Sequence, residues 1–130
     1  MNTPKDLQYT KTDEWVKTEG NVATIGITDH AQDQLSDIVF VEINVSVGDV
    51  VTANDTGGTI ESVKAAADVN VPVSGKVLEV NDALADKPET LNEDPYGNGW
   101  LYKIETSNIK ELDSLLNADD YIKHCEEASH

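Results

Sequence analysis

The sequence predicts a mostly β fold, a flattened barrel or sandwich of two small sheets with one short helix and a C-terminal helix. Short runs rich in Val and Ile alternate with turns that contain Gly, Asn and Asp, which is typical of a β domain. Several runs alternate apolar and polar residues with the period of a half-buried strand. The connections between the runs are short, which favours small packed sheets.

The first strands are expected to form a hairpin. Residues 15–17 lead into the turn Glu19-Gly20-Asn21, and residues 22–27 alternate almost strictly. A short helix near residues 29–35 follows. We predict that Asp29 opens it with Gln32 as the capping-box partner three residues later. The β-branched run that comes next ends the helix.

The later strands follow from the same pattern. Residues 38–43 are apolar enough to be a strand that is buried on both faces, and further strands are predicted at 59–63, 69–71, 76–80 and 100–104. The pair Gly57-Gly58 is not followed by a Lys-Ser or Lys-Thr pair, so we interpret it as a turn and not as a phosphate-binding loop.

The C-terminal part is predicted to be helical. Ile109, Leu112, Leu115 and Leu116 recur at helical spacing after Ser107, a possible cap. With 130 residues, the chain is expected to form one domain, with a core of about residues 7–124 and a helical tail at about 108–124.

Charge and composition exclude several classes of protein. The chain has 9 Lys and Arg against 25 Asp and Glu, a net charge of −16, which repels a phosphate backbone. We therefore expect no nucleic-acid partner, and the apolar runs are too short for a membrane span. The single cysteine excludes an intrachain disulfide. We expect a monomer in the cytoplasm, or in the mitochondrial matrix if a transit peptide has been removed.

Lys64 is the candidate functional residue. It follows one predicted strand, precedes Ala65, Ala66 and Ala67, and is followed by a second strand. The flanking side chains are too small to hide its amine from a modifying enzyme. On this pattern alone, however, an ordinary solvent-exposed turn lysine is the better explanation, because surface lysines are common.

A resemblance changes that balance. The segment Glu61-Ser62-Val63-Lys64-Ala65 resembles the lipoylation motif of the glycine cleavage system H-protein family. Further similar segments follow in unbroken order over about residues 7–124, namely 9–16, 23–32, 37–42, 72–75, 92–96, 99–100 and 111–121. The chain departs from the family pattern at Asp13, Ser36 and Ala67, where His, Gly and Ser respectively are usual.

The resemblance implies a lipoyl- or biotinyl-domain-like fold (a barrel-sandwich hybrid), with lipoate in amide linkage to Lys64. It implies a carrier and not an enzyme, with no catalytic residue of its own. The implied partners are glycine decarboxylase (P protein), which supplies an aminomethyl group, and aminomethyltransferase (T protein), which receives it. Dihydrolipoamide dehydrogenase (L protein) reoxidises the dithiol, and lipoylating enzymes attach the arm.

The resemblance also implies a cleft in which the arm docks. The aminomethyl group is cationic at neutral pH and labile in water, so a carboxylate in a sheltered position would hold it. Glu14 and Asp68 are the candidates, with Thr12 as a hydroxyl acceptor, because they match positions similar to the docking cleft of the family. Asp68 is also a candidate for shaping the turn.

Other interpretations remain open from the sequence. A biotin carrier also displays a lysine between strands, although its lysine typically lies between methionines, whereas here the neighbours are Val63 and Ala65. An unmodified or degenerate β interaction module is the second alternative. We predict no metal site, because His30 with its near neighbours Asp29 and Asp33 is a poor zinc set.

Overall fold

The computed structural model describes residues 2–128 and arranges nine strands in two antiparallel sheets. The strands are β1 (Gln8–Tyr9), β2 (Glu14–Glu19), β3 (Val22–Ile27), β4 (Ile38–Ile43), β5 (Val50–Val51), β6 (Thr56–Ser62), β7 (Ala66–Asn70), β8 (Gly75–Val80) and β9 (Tyr102–Thr106). One sheet has the order β1-β2-β3-β9-β8-β5, and the other has the order β4-β6-β7. The predicted mostly β fold of two sheets is confirmed, but neither sheet closes into a barrel and the first, with six strands, is not small.

Helices occur at more places than predicted. They are α1 (Asp29–Leu35), α2 (Ala83–Asp86), α3 (Thr90–Glu93), a 3-10 helix (Ile109–Ser114) and α4 (Ala118–Ala128). The prediction of one short helix besides the C-terminal one was wrong, because α2 and α3 lie between the strands predicted at 76–80 and 100–104, on either side of Pro88. Each is a single turn that buries one side chain, Leu84 in α2 and Leu91 in α3, so neither leaves a helical period in the sequence.

The predicted caps of two helices were wrong. Thr28, not Asp29, is the N-cap of α1, and its hydroxyl accepts a hydrogen bond from the N–H of Ala31 at 3.1 Å. Asp29 instead accepts a bond from the side chain of Gln32. In the C-terminal segment Asn108, not Ser107, caps the 3-10 helix. Adjacent residues of similar capping propensity explain both errors.

Strand β4 is not buried on both faces, as had been predicted. Ile38 and Val41 are buried, whereas Val39 and Phe40 are 55% and 44% exposed. The strand lies at the edge of the three-stranded sheet and pairs only with β6. Its apolar outer face therefore remains accessible to solvent, close to the end of β6 that leads to Lys64.

The core lies between the two sheets, and a second cluster holds α4. Buried side chains of both sheets, among them Ile25 and Ile60, form one contiguous cluster. Gly57 lies within β6 and not in the predicted turn. Glycine is required there because a Cβ would come within 2.6 Å of the Tyr102 hydroxyl of the other sheet. The second cluster packs Tyr121 and Cys125 of α4 against β1 and β2.

Candidate functional site: the Lys64 turn and the Glu14 cleft

Lys64 lies in the connection between β6 and β7, at the end of the three-stranded sheet. Its side chain is exposed, and so are those of Val63, Ala65 and Ala66. Within residues 2–128, no hydrogen bond or ion pair involves the Lys64 amine. The structure therefore places this lysine where the sequence predicted it, with an amine that an acylating enzyme can approach from solvent.

The backbone of this turn is held by Ser62. The Ser62 hydroxyl accepts hydrogen bonds from the N–H groups of Lys64 at 3.3 Å and Ala65 at 3.0 Å. It also donates to the Ala65 carbonyl at 3.1 Å, and the Ser62 N–H donates to the same carbonyl at 2.8 Å. The Val63 N–H donates to the Asp37 carbonyl. A fixed backbone thus presents an unrestrained lysine side chain.

Glu14 is the second notable residue because its carboxyl group is buried. The residue is 1% exposed, at the start of β2. One carboxyl oxygen accepts hydrogen bonds from the hydroxyls of Thr10 at 2.6 Å and Thr12 at 2.5 Å. The other accepts a bond from the Asn70 N–H at 3.3 Å. A carboxyl group buried without a cationic partner is costly, so its presence points to a functional role.

Burial raises the pKa of the Glu14 carboxyl from 4.5 to about 7. The hydrogen bonds from Thr10, Thr12 and Asn70 lower this pKa in part, and the neighbouring carboxylate of Asp13 raises it further. Because the pKa lies near neutral pH, a cation arriving beside Glu14 would favour the charged form and displace its proton.

Thr12, Glu14 and Asp68 line one cleft, which we call the Glu14 cleft. Its volume is about 210 Å³, and its walls also include the apolar side chains of Ile27, Leu35 and Ile60. Asp68 is exposed, 3.4 Å from the Thr59 hydroxyl, and lies on β7, the strand that follows the Lys64 turn. The structure therefore brings together all three residues predicted for docking. Lys64 itself is outside the cleft lining.

Comparison with known proteins identifies the family of this chain. A family model described as glycine cleavage H-protein matches residues 7–128. The chain belongs to the glycine cleavage H-protein family. A glycine cleavage system H protein from Carboxydothermus hydrogenoformans is 55% identical over 124 residues, 95% of each chain. One from Acinetobacter baumannii is 53% identical over 121 residues, 93% of this chain and 97% of that one.

A solved structure of the H-protein family also matches. The crystal structure of a glycine cleavage system H protein from Mycobacterium marinum superposes with a TM-score of 0.83 at 37% sequence identity. The match covers 92% of this chain and 96% of that chain. The sandwich described above is therefore the fold of this H-protein relative over nearly its whole length.

This member of the H-protein family also brings together three residues that are distant in sequence. Asp13, His30 and Cys125 each offer one atom within 4.8 Å of the others, a set of donors that could hold a metal ion. However, the Tyr121 hydroxyl lies 2.7 Å from Asp13 Oδ1 and also bonds with the Cys125 thiol. Burial raises the pKa of that thiol, which favours its protonated form. We therefore interpret Asp13 and Cys125 as hydrogen-bond partners of Tyr121, with the His30 ring in edge contact with the Tyr121 ring.

Several residues of the H-protein site were missed by the sequence analysis. Ser62 was given no role of its own, although Ser at the start of a tight turn is a signal for side-chain bonds to backbone. Thr10 had no comparable signal, because residues 10–13 form a turn, in which alternate side chains need not lie on one side. The Asn70 N–H bonds to Glu14 from strand β7, and the Tyr121 hydroxyl bonds to Asp13 from helix α4. No local pattern indicates either contact. No helix within the described part of the chain is both long and apolar enough to cross a membrane.

Proposed function

We propose that this chain is a lipoyl carrier of the glycine cleavage system and that Lys64 holds lipoate in amide linkage. The observation that carries this proposal is the Lys64 turn, which presents an amine without a hydrogen bond or ion pair in the described residues on a backbone fixed by Ser62. A primary amine in such a position fits acylation. When bound, the lipoyl group supplies a disulfide that accepts the aminomethyl group of glycine.

The residues of the Glu14 cleft then hold and shelter the aminomethyl group, the cargo of the carrier, and take no part in making or breaking bonds. The carboxyl groups of Glu14 and Asp68 face the cationic amine, and the Thr12 hydroxyl adds a polar contact. The apolar walls around Ile27, Leu35 and Ile60 exclude water from the labile group. The pKa of the Glu14 carboxyl is about 7 in the empty cleft. A docked cation favours the charged carboxylate, so the protonated carboxyl loses its proton when the cation docks.

The chain itself has no catalytic role in this proposal. Its partners are glycine decarboxylase, aminomethyltransferase, dihydrolipoamide dehydrogenase and a lipoylating enzyme, and the charge of −16 favours encounters with basic clefts on them. Tethering makes each delivery partly intramolecular, at effective concentrations on the order of millimolar. The site of action in the cell, cytoplasm or mitochondrial matrix, stays a prediction.

Intact-mass measurement tests the attachment. The protein is incubated with lipoate, ATP and a lipoate ligase, and in parallel with biotin, ATP and a biotin ligase. We expect one lipoyl group per chain and no biotinyl group. Peptide mapping is expected to place the group on the segment that contains Lys64. An unmodified chain in both reactions would favour the degenerate module instead, and a biotinylated chain would favour the biotin carrier.

Removing the carboxylates of the cleft is expected to shorten the lifetime of the aminomethyl cargo. For Asp68→Asn the effect should be about fivefold at most, because an exposed charge pair contributes only about 0–1 kcal/mol. For Glu14→Gln we expect at least about tenfold, since hydrogen bonds of a buried group to a charge contribute about 1.5–3 kcal/mol. Loss of the group is followed by mass spectrometry on lipoylated, loaded protein.

Glu42→Gln is the matched control for this experiment. Glu42 is an exposed carboxylate on β4, outside the segment that contains Lys64, and it does not line the cleft. Its removal should leave the decay rate within about twofold of the parent. Equal decay rates in the parent, Glu14→Gln and Asp68→Asn would remove both carboxylates from the site and leave Lys64 alone.

A further inference from the structure

Tyr121 of α4 reaches two walls of the Glu14 cleft through its hydroxyl group. The residue is fully buried, and its ring stacks on that of Tyr9 with 4.8 Å between centroids. The hydroxyl lies 2.7 Å from Asp13 Oδ1 and 2.7 Å from Thr28 Oγ1, and it also bonds with the Cys125 thiol of its own helix. Asp13 and Thr28 are separated from Tyr121 by 108 and 93 residues in the sequence. One atom therefore connects three distant parts of the chain.

The directions of the hydrogen bonds that join Tyr121 to Asp13 and to Thr28 follow from the number of protons that each group carries. A carboxylate only accepts, so the single phenolic proton of Tyr121 points to Asp13. The Thr28 hydroxyl must then donate to the Tyr121 oxygen. The Ala31 N–H donates to the Thr28 hydroxyl at 3.1 Å, which completes a chain from the first turn of α1 to Asp13. Every group in this series of hydrogen bonds has a partner, and such buried networks hold their members in one arrangement.

The first wall that depends on this chain is the loop from Thr10 to Glu14. Asp13 has a φ of 70°, in the left-handed region that residues other than glycine adopt at a cost. It lies between Thr12 and Glu14, whose side chains enter the cleft. The Asp13 carbonyl also accepts a bond from the Thr28 N–H at 3.1 Å. The bond from Tyr121 thus helps to hold the conformation that aims both side chains into the cleft.

The second wall is helix α1. Thr28 is its N-cap, and Ala31 and Leu35 of this helix line the cleft. The helix has only seven residues, so its cap is a large part of what fixes its first turn. Because Thr28 donates to Tyr121, the position of α1 is coupled to α4.

We propose that Tyr121 is a positioning residue that holds both walls of the Glu14 cleft in register from helix α4, a role that rests on the proposed function of the cleft. The hydroxyl does not touch the cargo. Its loss lets the loop from Thr10 to Glu14 and the first turn of α1 separate, which admits water and moves the Glu14 carboxyl. Shelter of the cargo therefore depends on a C-terminal helix none of whose described side chains lines the cleft.

The test compares Tyr121→Phe with Tyr9→Phe in the full, lipoylated chain. Both replace a fully buried tyrosine of the same cluster and delete one hydroxyl. Among the described residues, however, the Tyr9 hydroxyl bonds only to the carbonyl of Pro4, which does not line the cleft. For Tyr121→Phe we expect amide hydrogen exchange to rise about tenfold in residues 10–14 and 28–31, as for the loss of one hydrogen bond to a charged group. Exchange in β8 and β9 should not change. The cargo should be lost about fivefold faster, while lipoylation proceeds as in the parent.

The outcomes are distinguishable from failure of the proposed function. If Tyr9→Phe and Tyr121→Phe raise exchange equally or along the whole chain, the effect is general destabilisation and the positioning role is wrong. If Glu14→Gln speeds loss of the cargo and Tyr121→Phe does not, the cleft shelters its cargo without Tyr121. If neither variant changes the loss while exchange in Tyr121→Phe rises locally, the coupling is real and the sheltering function of the cleft is wrong.

Discussion

Replacing Lys64 with arginine is expected to abolish lipoylation and, with it, all glycine-dependent turnover in a reconstituted system. Arginine keeps the charge and the exposure, but its guanidinium remains protonated and cannot be acylated by the ligase. Since the side chain is exposed and forms no hydrogen bond or ion pair with residues 2–128, the free energy of unfolding should change by less than about 0.5 kcal/mol. Intact mass, turnover and a thermal unfolding curve measure the three quantities.

Lys76→Arg is the matched control for Lys64→Arg. Lys76 is likewise exposed, but it lies within β8 of the other sheet and not in the turn. This variant should be lipoylated fully and support parental turnover. A folded Lys64→Arg protein that still acquires a lipoyl group would show that another residue is the attachment site.

The free energy of unfolding of Glu14→Gln, relative to that of the parent protein, is expected to rise by about 3 kcal/mol between about pH 4 and about pH 8. In the folded protein the Glu14 pKa is about 7, against 4.5 as the ordinary value. Between these values the folded state binds more protons than the unfolded state, so the free energy of unfolding of the parent falls as pH rises. The contribution is complete below about 4.5 and is lost as pH passes 7.

Other acidic groups face Glu14, and the comparison must separate them. Asp13 precedes it, Asp68 shares its cleft, and the buried phenol of Tyr102 interacts with it. All are retained in Glu14→Gln, so they largely cancel in the difference. Urea unfolding followed by tryptophan fluorescence across a pH series measures it. Glu42→Gln, at an exposed position of β4, controls for loss of one negative charge and should give a small, constant difference. Parallel pH curves for Glu14→Gln and the parent would show that the Glu14 carboxyl is not desolvated.

Local pattern was enough to predict most strands but not their exposure. The alternation in 22–27 and the turn at Gly20 predicted the hairpin of β2 and β3, since both signals lie within a few residues. Residues 38–43 form the predicted strand, but their apolar composition gave the wrong burial for Val39 and Phe40 because exposure depends on which strand neighbours β4. The helices α2 and α3 were missed because four residues carry no helical period.

The functional site was likewise only partly predictable from the sequence. Lys64 and its small neighbours are contiguous, so the exposed turn was predictable from one segment. That Glu14 is buried and not solvent-facing depends on Asn70, 56 residues away, and on the packing of two sheets. The hydroxyl of Tyr121 beside Asp13 depends on how α4 docks. Contacts of that sequence separation leave no periodic signal in a single chain.

The bonds of Ser62 have a kinetic consequence for an attached arm. Because they fix the backbone at Lys64, the arm rotates about side-chain bonds from an origin that is stationary relative to the protein. The free end of the arm can then reach only a limited volume around the Lys64 turn. A more mobile turn would spread the same end over a larger volume and lower the frequency of encounters with the cleft. Under the proposed function, the hydroxyl of one serine would thus set how often an attached arm meets the Glu14 cleft, without itself contacting the arm.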